Sequence, residues 1–279
     1  MLVDTDRDDS VDPHKSLVSY GRESAPALYR RIDELDSSAR EREKIQVLSR
    51  DADYLAFLRV LTNQTEVDLA RYFDDLYSDA KFFTDFQSRL ALVDELANVG
   101  DLRFHAVTIY IVARSIKPHL VVETGVAHGK SSAYILLALE HNEHGHLYSV
   151  DLPATGMNAP DGSQTSLSGL EPGWLVLDRL RKRWTLTMAD SLSFLRNTFP
   201  ALIAGHDPVP GVSLFLHDSL HTFEHVAEEL RLVSPFLARP AIVCVDNVDM
   251  PGGLAFGEYL INQALQGASY TDFAGSFMR

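Results

Sequence analysis

Two apolar runs in this chain end in groups suited to holding a cation and moving a proton. One is FLHDSLHTFEH, with Asp218 and, three residues on, His221; the other is IVCVDN, with Asp246 and Asn247. If the runs are neighbouring parallel strands, their terminal oxygens come close together and form the hard, open oxygen site that Mg²⁺ prefers. A histidine there, with a reference pKa of about 6.5, can accept a proton near neutrality. A second constellation lies upstream in PHLVVETGVAHGKSS (118–132), where Glu123 is followed by Gly125, Gly129 and Ser131. Glycines let the backbone approach a ligand closely, and the first N–H groups of a helix opening near Lys130 favour a carboxylate or phosphate.

These residues need a scaffold that brings strand ends together. Beyond Pro118 the pattern alternates, with strands expected at 119–124, 146–151, 184–188, 212–217 and 241–246. Helices are expected near 130–140, 173–182, 191–199, 222–236 and 254–266. Such alternation implies an α/β fold with a doubly wound, mostly parallel sheet, which collects ligands at the carboxyl ends of its strands. The acids Glu123, Asp151, Asp190, Asp218 and Asp246 all fall at those ends. Residues 152–172, rich in Gly, Pro, Ser and Asn, form a long loop that suits a lid.

Residues 1–18 are acidic and polar and read as a flexible tail. From there to 102 the apolar spacing is helical, with Leu28, Ile32 and Leu35, then Leu55, Leu58 and Leu61, then Leu69, Phe73 and Leu76, and no strand pattern intervenes. This extension is expected to be a cap over the site or a surface for homo-oligomers. The sheet domain takes 103–279, opening with an apolar helix over Phe104–Ile116. After the last helix only SYTDFAGSFMR remains, so a closing strand pair is expected to be short or incomplete; Tyr270, Phe273 and Phe277 there read as core.

Composition narrows the partners. A formal net charge of −14 over 279 residues argues against nucleic acid or an anionic membrane surface. No apolar run reaches membrane-spanning length and the start lacks a signal-peptide pattern, so a cytoplasmic location is expected. The lone Cys244, within AIVCV, reads as a buried thiol.

Three motif readings of the ligand regions are weak. The dinucleotide pattern G-x-G-x-x-G fails because Ala127 and Lys130 occupy the second and third glycine positions. Gly129-Lys130-Ser131 ends like a phosphate-binding P-loop, but the first glycine is one residue too close. His221 to His225 spells H-x-x-E-H, an inverted zinc-peptidase motif that needs both histidines on one helix.

The segment E-T-G-V-A-H-G-K-S resembles the first motif of class I S-adenosylmethionine-dependent methyltransferases, notably the metal-dependent O-methyltransferases related to catechol O-methyltransferase. The resemblance spans about residues 103–250. With LYSVDLP and LHDSLHTFEH it extends to a bacterial branch containing sugar and macrolide O-methyltransferases and cephalosporin-hydroxylase-like proteins. It implies a Rossmann-like sheet and an S-adenosylmethionine site in which Glu123 takes the amino group, while Gly125, Gly129 and Ser131 serve the carboxylate. Asp151 would accept the ribose hydroxyls, and Asp190 and Ser191 would lie at the adenine edge. It also implies Mg²⁺ or a similar cation on Asp218, Asp246 and Asn247, with His221 as the base. The expected reaction is O-methylation of a small hydroxylated acceptor, such as a sugar or polyketide natural product. An adenosylmethionine-fold protein that transfers no methyl group is the alternative.

Overall fold

The computed structural model describes residues 17–21, 23, 25–33, 40–91, 105–153, 170–204, 210–270 and 273–278. The tail up to residue 16 and the centre of the expected lid, 154–169, lie outside them. The helical portion contains α1 (Ala25–Asp33), α2 (Arg40–Leu48), α3 (Ala52–Thr62), α4 (Glu66–Ser78) and α5 (Ala80–Leu90), then α6 (His105–Ile116). Local capping explains the starts of α3, α4 and α5. Asp51 accepts the amide of Tyr54 at 2.8 Å, Thr65 that of Asp68 at 3.2 Å, and Asp79 that of Phe82 at 2.9 Å.

A strand β1 (Leu17–Tyr20) precedes these helices. It lies where the sequence shows no strand pattern, because four residues are too few to display an alternation. The remaining strands are β2 (Leu120–Thr124), β3 (His146–Asp151), β4 (Trp184–Met188), β5 (Val212–His217), β6 (Leu237–Val245), β7 (Gly267–Tyr270) and β8 (Phe273–Met278). They form one sheet in the order β1-β7-β8-β6-β5-β2-β3-β4. All neighbours are parallel except β8, which runs antiparallel to both β6 and β7. The closing pair is therefore complete, and β1 pairs with the outer edge of β7. Its brevity had hidden it from the sequence.

The crossover helices are α7 (Lys130–His141), a helical stretch over 191–203 interrupted by a π turn at Phe194–Thr198, then α10 (Phe223–Val233) and α11 (Pro251–Asn262). We number the two short α segments of that stretch α8 (Ser191–Ser193) and α9 (Phe199–Ile203). The helix expected at 173–182 is a 3₁₀ turn over Asp178–Arg183. Arg89 reaches this region from α5, donating to the carbonyls of Trp174 and Val176 at 2.8 Å each and to Asp178 at 2.9 Å.

One face of the sheet packs on α6 and α7 through Val121, Leu147, Leu214, Leu216, Ile242 and Cys244, and the same core runs on through Tyr54, Phe57, Phe73 and Phe82 of the earlier helices. Hydrophobic packing thus does not divide at residue 102. The opposite face packs through Val122, Phe215, Val243 and Val245 on α10 and α11. Cys244 is fully buried and its thiol is pushed far up by burial, so it is inert packing.

Candidate functional site

Alternation along the strands sorts the polar residues between the two faces. Leu216 and Cys244 point toward α6 and α7, so two residues further on Asp218 and Asp246 continue on that side. His217 pairs with Val245 in the register of β5 and β6, and the amide of Asp246 still bonds the His217 carbonyl at 3.0 Å. The two acids therefore lie side by side. By the same alternation Val121 and Leu147 place Glu123 and Ser149 on the α7 side, whereas Thr124 and His217 face α10.

Glu123 is fully buried. Ser131 donates to its Oε1 at 2.6 Å, and Ser132 and Ser149 donate to Oε2 at 2.6 and 2.7 Å. Burial raises its pKa and the three hydroxyl bonds partly offset the rise. Glu123 and Ser131, both expected to meet a ligand, thus meet each other, because a strand-end side chain on this face points under the loop. Neither Ser132 nor Ser149 was legible beforehand, since serines in a helix and a strand carry no signal of a common partner.

The loop glycines answer to protein backbone. Gly125 has φ +83°, and a Cβ there would lie 1.9 Å from the carbonyl oxygen of Asp218. Gly129 has φ +87°, and its Cβ would lie 2.6 Å from Cα of Gly173. Lys130 is 2% exposed, which removes the cation a P-loop presents to phosphates. Asp151 is half-buried; its Oδ2 accepts the amides of Val126 and Ala127 at 2.9 and 2.6 Å and its Oδ1 that of Leu152 at 2.7 Å. Asp151 therefore shapes the loop while facing partly outward, with lone pairs left to accept hydroxyls.

Asp190 is exposed and caps the following helical turn through the amide of Ser193 at 2.8 Å. Ser191 is 9% exposed and its hydroxyl lies 3.0 Å from Nε2 of His225. Asn247 takes a left-handed backbone conformation, φ 51°, and its carbonyl accepts the amide of Met250 at 2.9 Å.

Asp218, Asp246 and a residue not anticipated, His105 at the start of α6, each bring one ligand-type atom within 4.8 Å of the others. Nδ1 of His105 is 3.6 Å from Oδ2 of Asp246. Nε2 of His221 is 3.9 Å from Oδ1 of Asp218. Asp218 is raised well above the ordinary carboxylate range, first by burial and then by the charge of Asp246. Such an arrangement favours a divalent cation or a shared proton between the acids. A lone histidine opening an apolar helix gave no hint of this meeting.

Behind the acids a second cluster surrounds Glu229 of α10, also fully buried. Its Oε2 accepts from Thr124 and lies 2.7 Å from Nδ1 of His217; its Oε1 accepts from Ser219 at 2.8 Å and lies 2.9 Å from Nε2 of His225. His217 meets His221 edge-on, with centroids 5.4 Å apart. The H-x-x-E-H reading does not survive this geometry. Thr222 caps α10, so His221 precedes the helix, Glu224 is exposed, and His225 is turned to Glu229.

Residues 122–248 match a family model described as a methyltransferase domain. That stretch is similar to a methyltransferase domain. It contains the glycine loop, both acid-ended strands β5 and β6, and the Glu229 cluster, whereas His105 and the closing strand pair fall outside the match. The mostly parallel sheet with helices on both faces is a Rossmann-like fold. A search of curated protein sequences finds no match. Among solved structures, the domain and its flanks resemble the calicheamicin methyltransferase CalS11 at 19% identity, covering 99% of each chain with a TM-score of 0.46. They also resemble the O-methyltransferase TomG from Streptomyces achromogenes, involved in tomaymycin synthesis and bound to SAM, at 16% identity over 78% of this chain and 97% of that one, TM-score 0.47. A Bacillus cereus O-methyltransferase in complex with SAH gives 12% identity over 80% of this chain and 100% of that one, TM-score 0.49. None of these distant likenesses assigns a role to a residue of this chain.

Proposed function

We propose that the protein is an S-adenosylmethionine-dependent O-methyltransferase, assisted by a divalent cation, that acts on a small hydroxylated acceptor such as a sugar or polyketide. The observation that carries this reading is that Asp218 meets both Asp246 and His221 beside the glycine loop, within a stretch similar to a methyltransferase domain. When bound, S-adenosylmethionine supplies a methyl group made electrophilic by its sulfonium, and a cation on the two acids lowers the pKa of an acceptor hydroxyl.

The chain's own residues have separable parts. Asp151, open on one side and held by the amides of Val126 and Ala127, accepts ribose hydroxyls. Gly125 and Gly129 hold the loop in a conformation that other residues rarely adopt. Glu123 acts from beneath, fixing Ser131 and Ser132 of α7, so its contribution to the cofactor is through the loop's shape. His221, with a fifth of its side-chain surface exposed, takes the acceptor's proton at Nε2. The acceptor oxygen then forms the new bond to the methyl carbon as the carbon–sulfur bond breaks, its electron pair returning to sulfur. Asp218 beside His221 stabilises the imidazolium that results.

Calorimetric titration with S-adenosylmethionine, followed by methyl-transfer assays on hydroxylated acceptors with Mg²⁺ or with EDTA, tests the reading. Binding together with cation-dependent transfer is expected. Failure to bind S-adenosylmethionine in either condition defeats it, and binding without transfer to any acceptor would point to the noncatalytic alternative.

A further inference from the structure

We infer that His105 is the third protein ligand of the cation site formed by Asp218 and Asp246, and that this site takes Co²⁺, Zn²⁺ or Mn²⁺ more tightly than Mg²⁺. The inference deepens the proposed function, since it concerns the cation which that reading invokes.

Geometry comes first. Metal–nitrogen and metal–oxygen bonds to such ions are about 2.0–2.2 Å, so two donors on opposite sides of one ion are at most about 4.4 Å apart. The nitrogen of His105 and one oxygen from each acid all lie within 4.8 Å of one another, a few tenths of an ångström from that limit. The 3.6 Å between Nδ1 of His105 and Oδ2 of Asp246 is too long for a direct hydrogen bond and fits two ligands of a common ion.

The three groups come from three elements that the core holds in place. Asp218 and Asp246 are aligned by the register of β5 and β6. His105 is held by α6, whose Ala106, Val107, Ile109 and Tyr110 are buried against the sheet and the earlier helices. Thr108, one turn along, exchanges a hydrogen bond of 2.8 Å with Tyr54 of α3. The histidine is thus placed before any ion arrives, and little ordering is left for binding to accomplish. Exposure is graded across the site. The side chain of His105 keeps 6% of its surface, Asp246 13% and Asp218 24%, so the ion would meet solvent and ligand on the Asp218 side, toward His221.

Donor type then sets preference. Mg²⁺ favours oxygen ligands and water, whereas an imidazole nitrogen suits first-row transition ions and Zn²⁺, and affinity for a given N/O site rises from Mn²⁺ to Co²⁺. Two carboxylates with one buried imidazole leave coordination positions for water and an acceptor oxygen, the open arrangement of a reactive rather than a structural site.

The test uses the full-length protein without S-adenosylmethionine. Calorimetry with Co²⁺, Zn²⁺, Mn²⁺ and Mg²⁺ should show Co²⁺ and Zn²⁺ binding at least about tenfold more tightly than Mg²⁺. His105→Ala and His105→Gln should each weaken Co²⁺ by about 10–100-fold, no less than the loss of an outer-shell partner, while changing Mg²⁺ little. If both variants fail to fold, spin-echo modulation from an imidazole nitrogen on the Mn²⁺-loaded wild type decides instead. Unchanged Co²⁺ affinity in a folded variant, Mg²⁺ binding as tight as Co²⁺, or no nitrogen modulation overturns the inference. A separate titration with S-adenosylmethionine alone keeps the two readings apart: cofactor binding without selective Co²⁺ binding sinks only the role of His105, and the converse sinks only the proposed function.

Discussion

Replacing Glu229 with Gln tests whether the buried carboxylate behind the strand ends holds the site together. Four donors converge on it: Thr124 and His217 at 2.7 Å each, Ser219 at 2.8 Å and His225 at 2.9 Å. Glutamine preserves the shape but turns one acceptor oxygen into a donor facing two other donors. An unsatisfied buried polar group costs about 1–3 kcal/mol, and removing one partner of a buried ion pair about 3–5 kcal/mol. The Thr124 hydroxyl can rotate to relieve part of this, so a loss of about 3 kcal/mol is expected. At about 2–4 °C per kcal/mol for a domain of this class, Tm should fall by roughly 6–12 °C.

The loss should also depend on pH in a definite direction. Burial works to raise the pKa of Glu229, and the charges and hydrogen bonds of His217 and His225 outweigh it, so the net shift is downward. A depressed acid stabilises the fold above its unfolded pKa of about 4.3, and that stabilisation disappears as pH falls through the folded value. The gap between wild type and variant should therefore be widest above about pH 5 and narrow on acidification. Urea unfolding followed by the fluorescence of Trp174 and Trp184 measures it. A variant within about 0.5 kcal/mol of wild type at pH 7, or a gap that widens in acid, would refute the reasoning.

Other substitutions probe the remaining parts. Gly125→Ala combines a left-handed backbone, about 1–2 kcal/mol for an L-residue, with a Cβ 1.9 Å from the Asp218 carbonyl, so thermal unfolding should reveal a loss of about 2–5 kcal/mol; a neutral result would show that the loop is not held against β5 as described. Ser131→Ala takes the hydroxyl from Oε1 of buried Glu123 and should cost about 1–3 kcal/mol in denaturant titrations, whereas an exposed serine would cost almost nothing. His221→Ala should slow methyl transfer about 10²–10⁴-fold with S-adenosylmethionine affinity little changed, and an equal loss in both would assign it to binding instead. Asp218→Asn relieves the repulsion with Asp246 and should leave the metal-free protein at least as stable as wild type while abolishing stabilisation by added Co²⁺, read as the shift in Tm with and without the ion.

The parallel core was legible because its strands are apolar runs and its helices carry their own period and caps. The strand expected at 212–217 was found at Val212–His217, and those at 146–151 and 184–188 also fell where expected. Short elements were not legible. Leu17–Tyr20 and Gly267–Tyr270 have four residues each and become strands only because β7 and β8 offer backbone partners. The turn over Asp178–Arg183 has helical composition, yet it ends in a 3₁₀ helix.

For the site, the sequence alone determined which strand ends carry acids, since an apolar run and the residue that closes it are local properties; that Asp218 and Asp246 lie side by side rests on the pairing of β5 with β6. What lies opposite each acid belongs to the tertiary structure. Glu123 looked like a ligand group and proved to be enclosed by Ser131, Ser132 and Ser149, three residues from two different elements. Gly125 and Gly129 looked like room for a ligand, and the atoms that exclude a side chain there are those of Asp218 and Gly173. His105, 113 residues before Asp218, meets it only because α6 packs on the sheet. Local pattern decides which way a side chain points; packing between distant elements decides whether it finds a proton, an ion or another residue.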